Sequence, residues 1–147
     1  MKSQKKIQTE EINRRNKQKE NTNKTLLFNI LIVEDDKELS LLFQKVLEKS
    51  GYQVKSASDG AQALEVLDKE YIDLIISDIM MPVMDGLEAA RQIRAMDRPD
   101  AKLIPIVAMS ANAFQDDVER SKQAGMNKHI SKPLTGESVI REIKRML

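Results

Sequence analysis

The sequence contains no cysteine, only one histidine, and few aromatic residues, which make up 3% of the chain. The absence of cysteine excludes a disulfide framework, a cysteine-ligated zinc site and a thiol nucleophile. A single histidine also argues against a histidine-based metal site. These absences remove the commonest zinc and thiol chemistries from consideration.

Long hydrophobic runs are also missing. The longest nearly apolar stretch, residues 26–33, is interrupted by Asn29 and is far too short to span a bilayer. The N-terminus is polar from Lys2 onward, so we expect no signal peptide. A chain of 147 residues suits one domain with a tail. We therefore predict a cytoplasmic protein without a membrane segment.

Positive charge is concentrated in residues 1–25, whose net charge is +5, whereas residues 26–147 have a net charge of −4. The basic segment has too few apolar residues to fold alone. We interpret it as a flexible tail or linker and residues 26–147 as the folded domain. The alternative is a basic arm for nucleic acid or anionic membrane. Because the segment lacks aromatic residues and a strong apolar face, we expect no direct nucleic acid binding.

Short apolar runs alternate with helical patterns along the rest of the chain. The predicted strands are 28–33, 53–57, 74–78, 104–109 and 128–130. The predicted helices lie between residues 36 and 51 and over 61–69, 86–96, 113–124 and 137–147. Strands that alternate with helices imply a parallel sheet covered on both faces. We predict an α/β fold, a (βα)5 doubly wound parallel sheet with strand order 2-1-3-4-5.

Acidic residues mark the ends of two strands that this order makes neighbours. Glu34 and Asp35 follow the first strand, while Asp36 is suited to cap the next helix. Asp78 ends the third strand, before a loop that Pro82 enforces. Ligands bind at this edge of open α/β sheets. Clustered carboxylates of this kind suit Mg²⁺, which also offsets their mutual repulsion.

Ser110 and Lys132 stand at the ends of the fourth and fifth strands, so we expect them at the same edge. Lys132 offers a positive charge for a phosphoryl oxygen, and Ser110 offers a hydroxyl donor. A carboxylate can form an aspartyl-phosphate, and phosphoryl transfer needs mainly positioning and charge neutralisation. Taken alone, Lys132 would be a surface lysine and His129 a structural residue. The joint pattern favours a Mg²⁺-dependent phosphoryl site.

Residues 27–147 resemble the receiver domain of two-component response regulators. The resemblance rests on Ile-Leu-Ile-Val-Glu-Asp-Asp at 30–36, Ser-Asp-Ile-Met-Met-Pro-Val-Met-Asp-Gly at 77–86, Ser-Ala at 110–111 and Ser-Lys-Pro at 131–133. It implies a flavodoxin-like fold with Asp78 as the phosphoacceptor. It also implies Asp35 as a direct Mg²⁺ ligand, Glu34 as a ligand through water, and the backbone carbonyl of Met80 as a further ligand.

The resemblance assigns the remaining roles as well. Ser110 would be the switch hydroxyl, Lys132 would contact the phosphoryl group, and Pro133 would follow a cis peptide bond. The sequence departs from the common pattern at three positions. Glu34 stands where many members have Asp, Ser110 where Thr is commoner, and His129 where the switch aromatic is often Tyr or Phe.

The function that the resemblance implies is phosphorelay signalling. A sensor histidine kinase or a histidine phosphotransfer protein would donate a phosphoryl group to Asp78. The face formed by the fourth helix, the fifth strand and the fifth helix would then switch for partner binding. We expect a signalling domain that assists its own phosphorylation and dephosphorylation, not an enzyme with a separate substrate. The oligomeric state is left open.

Three alternatives remain at this stage. The stretches at 108–114 and 124–133 look more like receivers of hybrid sensor kinases, so the chain could belong to a larger hybrid kinase and not to a stand-alone regulator with no output domain. An aspartyl-phosphate phosphohydrolase is a weaker alternative, since such enzymes typically carry a second Asp at the position of Met80. A non-phosphorylated adaptor that keeps only the fold is the third.

Overall fold

The structure is a computed structural model that describes residues 28–81, 83–110, 115–131 and 135–146. Within these ranges strands and helices alternate from β1 to α5. Their bounds are β1 (Asn29–Val33), α1 (Lys37–Lys49), β2 (Gln53–Ala57), α2 (Gly60–Lys69), β3 (Leu74–Asp78), α3 (Gly86–Arg94), β4 (Ile106–Ser110), α4 (Gln115–Gln123), β5 (Lys128–Ser131) and α5 (Gly136–Met146). None of the helices in the described ranges has the length and apolar character needed to cross a lipid bilayer.

The five strands form one parallel sheet in the order β2-β1-β3-β4-β5, which confirms the predicted topology. In the register of β1 and β3, Val33 is paired with Ser77. In the register of β3 and β4, Asp78 is paired with Met109. The carboxyl ends of these three strands therefore lie side by side. Residues that directly follow them in the sequence meet at one edge of the sheet.

The sheet has a hydrophobic core on each face, as expected for strands buried on both sides. On one face, Leu31 and Ile75 belong to a buried cluster with Leu67 of α2 and Ile93 of α3. The intervening strand residues form the second cluster with α1 and α5, whose fully buried members include Ile30, Leu74, Phe43 and Leu47. Burying a side chain of this size stabilises the fold by about 1.5–3 kcal/mol. The two cores hold the strand ends in fixed positions.

Aspartates cap three of the helices at the carboxyl edge of the sheet. The Oδ1 atom of Asp36 accepts hydrogen bonds from the backbone N–H groups of Glu38 and Leu39, at 3.0 and 3.2 Å. Asp59 and Asp85 accept a similar bond at the starts of α2 and α3. Each cap satisfies an N–H group that the first helical turn leaves unpaired. The predicted capping role of Asp36 is confirmed, because its carboxylate binds the first turn of α1.

Some element boundaries differ from the prediction, whereas the inward face of α5 agrees with it. β4 begins at Ile106, two residues later than predicted, and Ser110 ends it as predicted. In α5, Ile143 is buried and Ile140 is half-buried and packs against the second core cluster, as predicted, while Val139 is buried as well. The predictions for residues 1–25 and for Lys132 and Pro133 lie outside the described residues.

Arg94 fastens the loops at the opposite, amino-terminal edge of the sheet. Its guanidinium group donates to the carbonyl oxygens of Ala101, Ile104 and Gly125 at 2.7–3.1 Å, and to Asn127 Oδ1 at 2.8 Å. The planar fork of five N–H donors allows one arginine to bind this many acceptors. One side chain therefore joins the end of α3 to two separate loops.

Arg98 forms a second polar anchor at the same edge. Its side chain is 1% exposed and makes a two-point contact with the carboxylate of Asp100, with Nη2 to Oδ2 at 3.0 Å. Its Nη1 also donates to the carbonyl oxygen of Leu67 in α2, at 2.9 Å. Nearby, burial lowers the pKa of Arg94, and the negative charge of Asp100 opposes that effect.

Candidate functional site

Three carboxylates converge at the carboxyl edge of the sheet. Glu34 and Asp35 follow β1, Asp78 ends β3, and one oxygen from each side chain lies within 4.8 Å of the others. Glu34 and Asp78 are buried, at 2% and 7% exposed, whereas Asp35 is exposed to solvent. The structure thus brings together the three acids that the sequence placed at adjacent strand ends.

The backbone around Asp78 is held from three sides. The hydroxyl group of Ser77 donates to the carbonyl oxygen of Asp78 at 2.9 Å, and the N–H of Ile79 donates to the carbonyl oxygen of Met109 at 3.0 Å. The N–H of Gly86 donates to the carbonyl oxygen of Ile79 at 2.8 Å. A Cβ atom on Gly86 would lie 2.2 Å from the carbonyl oxygen of Asp78. Only glycine therefore permits α3 to begin this close to Asp78.

The loop after Asp78 combines exposure with backbone strain. The Met80 side chain is 79% exposed, and its N–H group points at Asp78 Oδ1 at 3.4 Å. Val83 has a φ of 68°, the left-handed region that a β-branched residue seldom adopts. The carbonyl oxygen of Met84 accepts a hydrogen bond from the N–H of Gly60 at 3.0 Å, which ties this loop to the start of α2.

Ser110 and His129 meet between the neighbouring strands β4 and β5. Ser110 is buried at the end of β4, and His129 lies half-buried on the neighbouring strand β5. The distance from Ser110 Oγ to His129 Nε2 is 2.9 Å, a hydrogen bond. The sequence predicted both residues for this region but not their contact. Because Ala108 is the register partner of His129, Ser110 is its diagonal neighbour, and diagonal neighbours share a face.

The donor set fits a small divalent cation. Three carboxylates close together repel one another, and two of them are largely removed from water. Hard oxygen ligands, some of them exposed to water, match the preferences of Mg²⁺. A cation held there would also offset the repulsion between the acids. The arrangement can therefore hold a divalent cation beside a buried carboxylate.

A shallow groove lies next to the acids on the side of α1. Its volume is about 290 Å³, and its lining includes Glu34, Lys37, Leu41 and Ser58. Leu41 and its neighbour Leu42 are 53% and 51% exposed.

Comparison with known families decides what kind of domain carries this site. The family model for the response regulator receiver domain matches residues 30–144. The chain belongs to the response regulator receiver family. It is therefore a receiver domain of two-component systems, with the parallel sheet and strand order described above. The matched range contains all eight residues singled out from the sequence for the site.

Two curated relatives show the settings in which such receivers occur. The response regulator receiver protein CpdR of Brucella abortus is 39% identical over 118 residues, which are 80% of this chain and 95% of CpdR. The sensor histidine kinase RcsC of Escherichia coli is 38% identical over 106 residues, which are 72% of this chain but only 11% of RcsC. The same receiver sequence thus resembles both a stand-alone protein and a small part of a large kinase.

A solved structure gives the most informative comparison. The receiver domain of a sensor histidine kinase from Pseudomonas aeruginosa is 36% identical, with a TM-score of 0.74. The match covers 82% of this chain and 97% of that domain. That structure has a magnesium ion coordinated in its active-site cleft.

Proposed function

We propose that Asp78 accepts a phosphoryl group from a phosphohistidine donor and that phosphorylation changes the surface offered to a partner. The observation that carries the proposal is the buried Asp78 carboxylate, placed within 4.8 Å of two further acids at the carboxyl edge of a receiver fold. The two further acids give the site the hard oxygen ligands that a nucleophile acting with a divalent cation needs.

The transfer is a single displacement at phosphorus. An Asp78 carboxylate oxygen attacks the phosphorus atom and forms the P–O bond of an aspartyl-phosphate while the P–N bond to the donor imidazole breaks. The electron pair of that bond stays on the imidazole nitrogen, which takes up a proton. The contacts of Ser77, Ile79 and Gly86 keep the Asp78 backbone in place for this attack.

The same geometry supports Mg²⁺ as the cofactor. Asp35 and Asp78 would bind the ion directly, Glu34 would bind it through water, and Met80 would contribute its backbone carbonyl oxygen. When bound, the ion would neutralise charge on the phosphoryl oxygens. The three-acid cluster of this chain and the magnesium ion in the Pseudomonas relative support this assignment.

Three further residues complete the proposed site. Ser110 would donate its hydroxyl hydrogen to a phosphoryl oxygen, and Lys132 would supply a positive charge to the same group. Pro133 would fix the Lys132 loop. The phosphorylated state would be read at the face formed by α4, β5 and α5, because Ser110 and His129 connect the site to β5.

The donor is a sensor histidine kinase or a histidine phosphotransfer protein. It would dock over α1, where Leu41 and Leu42 are exposed beside the groove that Glu34 lines. We take residues 26–147 as the receiver domain and residues 1–25 as a segment apart from it. This division is supported by the family match, which begins at residue 30. Both settings, stand-alone regulator and part of a hybrid kinase, are compatible with the relatives.

Intact mass spectrometry tests the proposed function directly. The protein is incubated with a small acyl phosphate, with and without Mg²⁺, as the wild type and as Asp78→Asn. We expect the wild type to gain one phosphoryl group only when Mg²⁺ is present and the variant to gain none. Asp85→Asn, which changes the same charge at a helix cap, is the matched control and should behave like the wild type.

An equal gain in wild type and Asp78→Asn would refute the assignment of Asp78. No gain in the wild type would be followed by incubation with a phosphorylated histidine phosphotransfer protein. A second failure there would favour an adaptor that keeps the fold without accepting a phosphoryl group.

A further inference from the structure

The hydrogen bond between Ser110 and His129 has a direction that the proposed chemistry does not assign. Ser110 Oγ and His129 Nε2 lie 2.9 Å apart, and the Ser110 side chain is buried. His129 is the only histidine in the chain. The contact joins the residue proposed to bind the phosphoryl group to the strand next to it. Its direction determines what the hydroxyl group is able to do.

A serine hydroxyl group has one hydrogen and two acceptor lone pairs. If His129 Nε2 carries no hydrogen, it accepts the hydrogen of Ser110, and that hydrogen is then unavailable to a phosphoryl oxygen. If Nε2 carries a hydrogen, it donates to Ser110 Oγ, and the contact with His129 does not use the hydroxyl hydrogen. The protonation of one ring nitrogen therefore decides whether Ser110 can donate to the phosphoryl group.

We propose that His129 is the positioning residue for Ser110 in the phosphorylated receiver. In that state His129 Nε2–H donates to Ser110 Oγ, and Ser110 Oγ–H donates to a phosphoryl oxygen. Hydrogen bonds in such a chain polarise and strengthen one another. A phenylalanine at position 129 could fill the same space but could not donate. The inference rests on the proposed role of Asp78 and deepens it.

Because the chain has one histidine, ¹⁵N-labelled histidine gives an NMR spectrum with a single imidazole. The full chain, made without a polyhistidine tag, is measured with Mg²⁺ and beryllofluoride, a phosphoryl mimic that binds a carboxylate without a leaving group. We expect a protonated Nε2 in the mimic-bound state. An Nε2 without a hydrogen in that state would overturn the proposal, because Ser110 would then be donating to His129.

Equilibrium binding of beryllofluoride gives an independent readout. We expect His129→Phe to weaken binding about two- to tenfold, the value of one ordinary hydrogen bond. His129→Gln, which can place an amide N–H near Nε2, should restore affinity to within about twofold. Ser110→Ala should weaken binding to a similar extent as His129→Phe, and the double variant should lose no more than either one alone.

Lys128→Gln is the matched control on the same strand, because the Lys128 side chain pairs with Glu142 of α5. It should bind the mimic as the wild type does. Equal losses in His129→Phe and His129→Gln, or additive losses with Ser110→Ala, would show a packing role and overturn the proposal. A wild type that does not bind the mimic would refute the role of Asp78 as well, which separates that failure from failure of the His129 inference alone.

Discussion

The two edges of the sheet differ in how their charged side chains are arranged. At the amino-terminal edge, Arg98 is paired with Asp100, and Asp73 accepts a hydrogen bond from the backbone N–H of Asn29 at 2.8 Å. At the carboxyl edge, Glu34, Asp35 and Asp78 lie together with the same sign of charge. Charges of opposite sign in contact stabilise the fold, whereas clustered like charges destabilise it until a cation binds. The first edge therefore pairs opposite charges, whereas the second gathers like charges that a cation could offset.

The largest effect is expected at the amino-terminal edge. Arg98→Met should lower the free energy of unfolding by about 3 kcal/mol, because it leaves the Asp100 carboxylate and the Leu67 carbonyl oxygen without their buried partner. Urea denaturation measures the change. The matched control is Arg91→Met, because Arg91 pairs with Glu88 and both side chains are about half exposed. We expect this variant to lower the free energy of unfolding by less than about 0.5 kcal/mol. Equal effects in the two variants would contradict the comparison.

The second effect concerns Mg²⁺ at the carboxyl edge. At a Mg²⁺ concentration ten times the dissociation constant, binding should raise the free energy of unfolding by about 1.4 kcal/mol. Asp35→Asn should abolish this gain, whereas Asp36→Asn should keep it, because Asn also caps helices. Thermal unfolding with and without Mg²⁺ measures both. A gain that survives in Asp35→Asn would remove Asp35 from the proposed ligands.

The third effect has the opposite sign from the first. Without divalent cations, Asp78→Asn should raise the free energy of unfolding by about 1 kcal/mol, because it removes one of three mutually repelling carboxylates. At the amino-terminal edge, Asp100→Asn should lower the free energy of unfolding, because it removes the charge that pairs with Arg98. Salt should shrink the gain in Asp78→Asn by screening. If both variants were destabilised alike, the distinction between the edges would fail.

The smallest effect concerns backbone strain in the loop after Asp78. Val83→Asn should stabilise the protein by about 0.5–1 kcal/mol, because asparagine tolerates the left-handed φ of 68° better than a β-branched residue does. The side chain is 87% exposed, so no core packing is lost. Val83→Thr, which keeps the β-branch, serves as the control and should change stability little. Chemical denaturation would refute the expectation if the two variants were equally stable.

The strand order and the meeting of the three acids could be read from the sequence because both follow from local patterns. Apolar runs ending in acids gave the strand ends, and alternation with helices gave the parallel sheet. The registers of Val33 with Ser77 and of Asp78 with Met109 then brought those ends together. The strand order alone was thus enough to predict that the three acids lie together, without any knowledge of individual contacts.

Features that depend on particular long-range contacts were not predictable. Arg94 binds acceptors up to 33 positions away, and nothing in its local sequence marks it as an anchor. Val83 lies in the left-handed region although a β-branched residue disfavours it, since the turn around it overrides propensity. The contact of Ser110 with His129 required the register of β4 and β5, which apolar runs do not fix.

The anchor formed by Arg94 also bears on how the protein opens. The carbonyl oxygens of Ala101, Ile104 and Gly125 belong to two loops that are far apart in the sequence but share this one side chain. Segments that depend on a common contact unfold as one cooperative unit. In amide hydrogen exchange, the loop before β4 and the turn before β5 would therefore lose protection together, at a single free energy of opening.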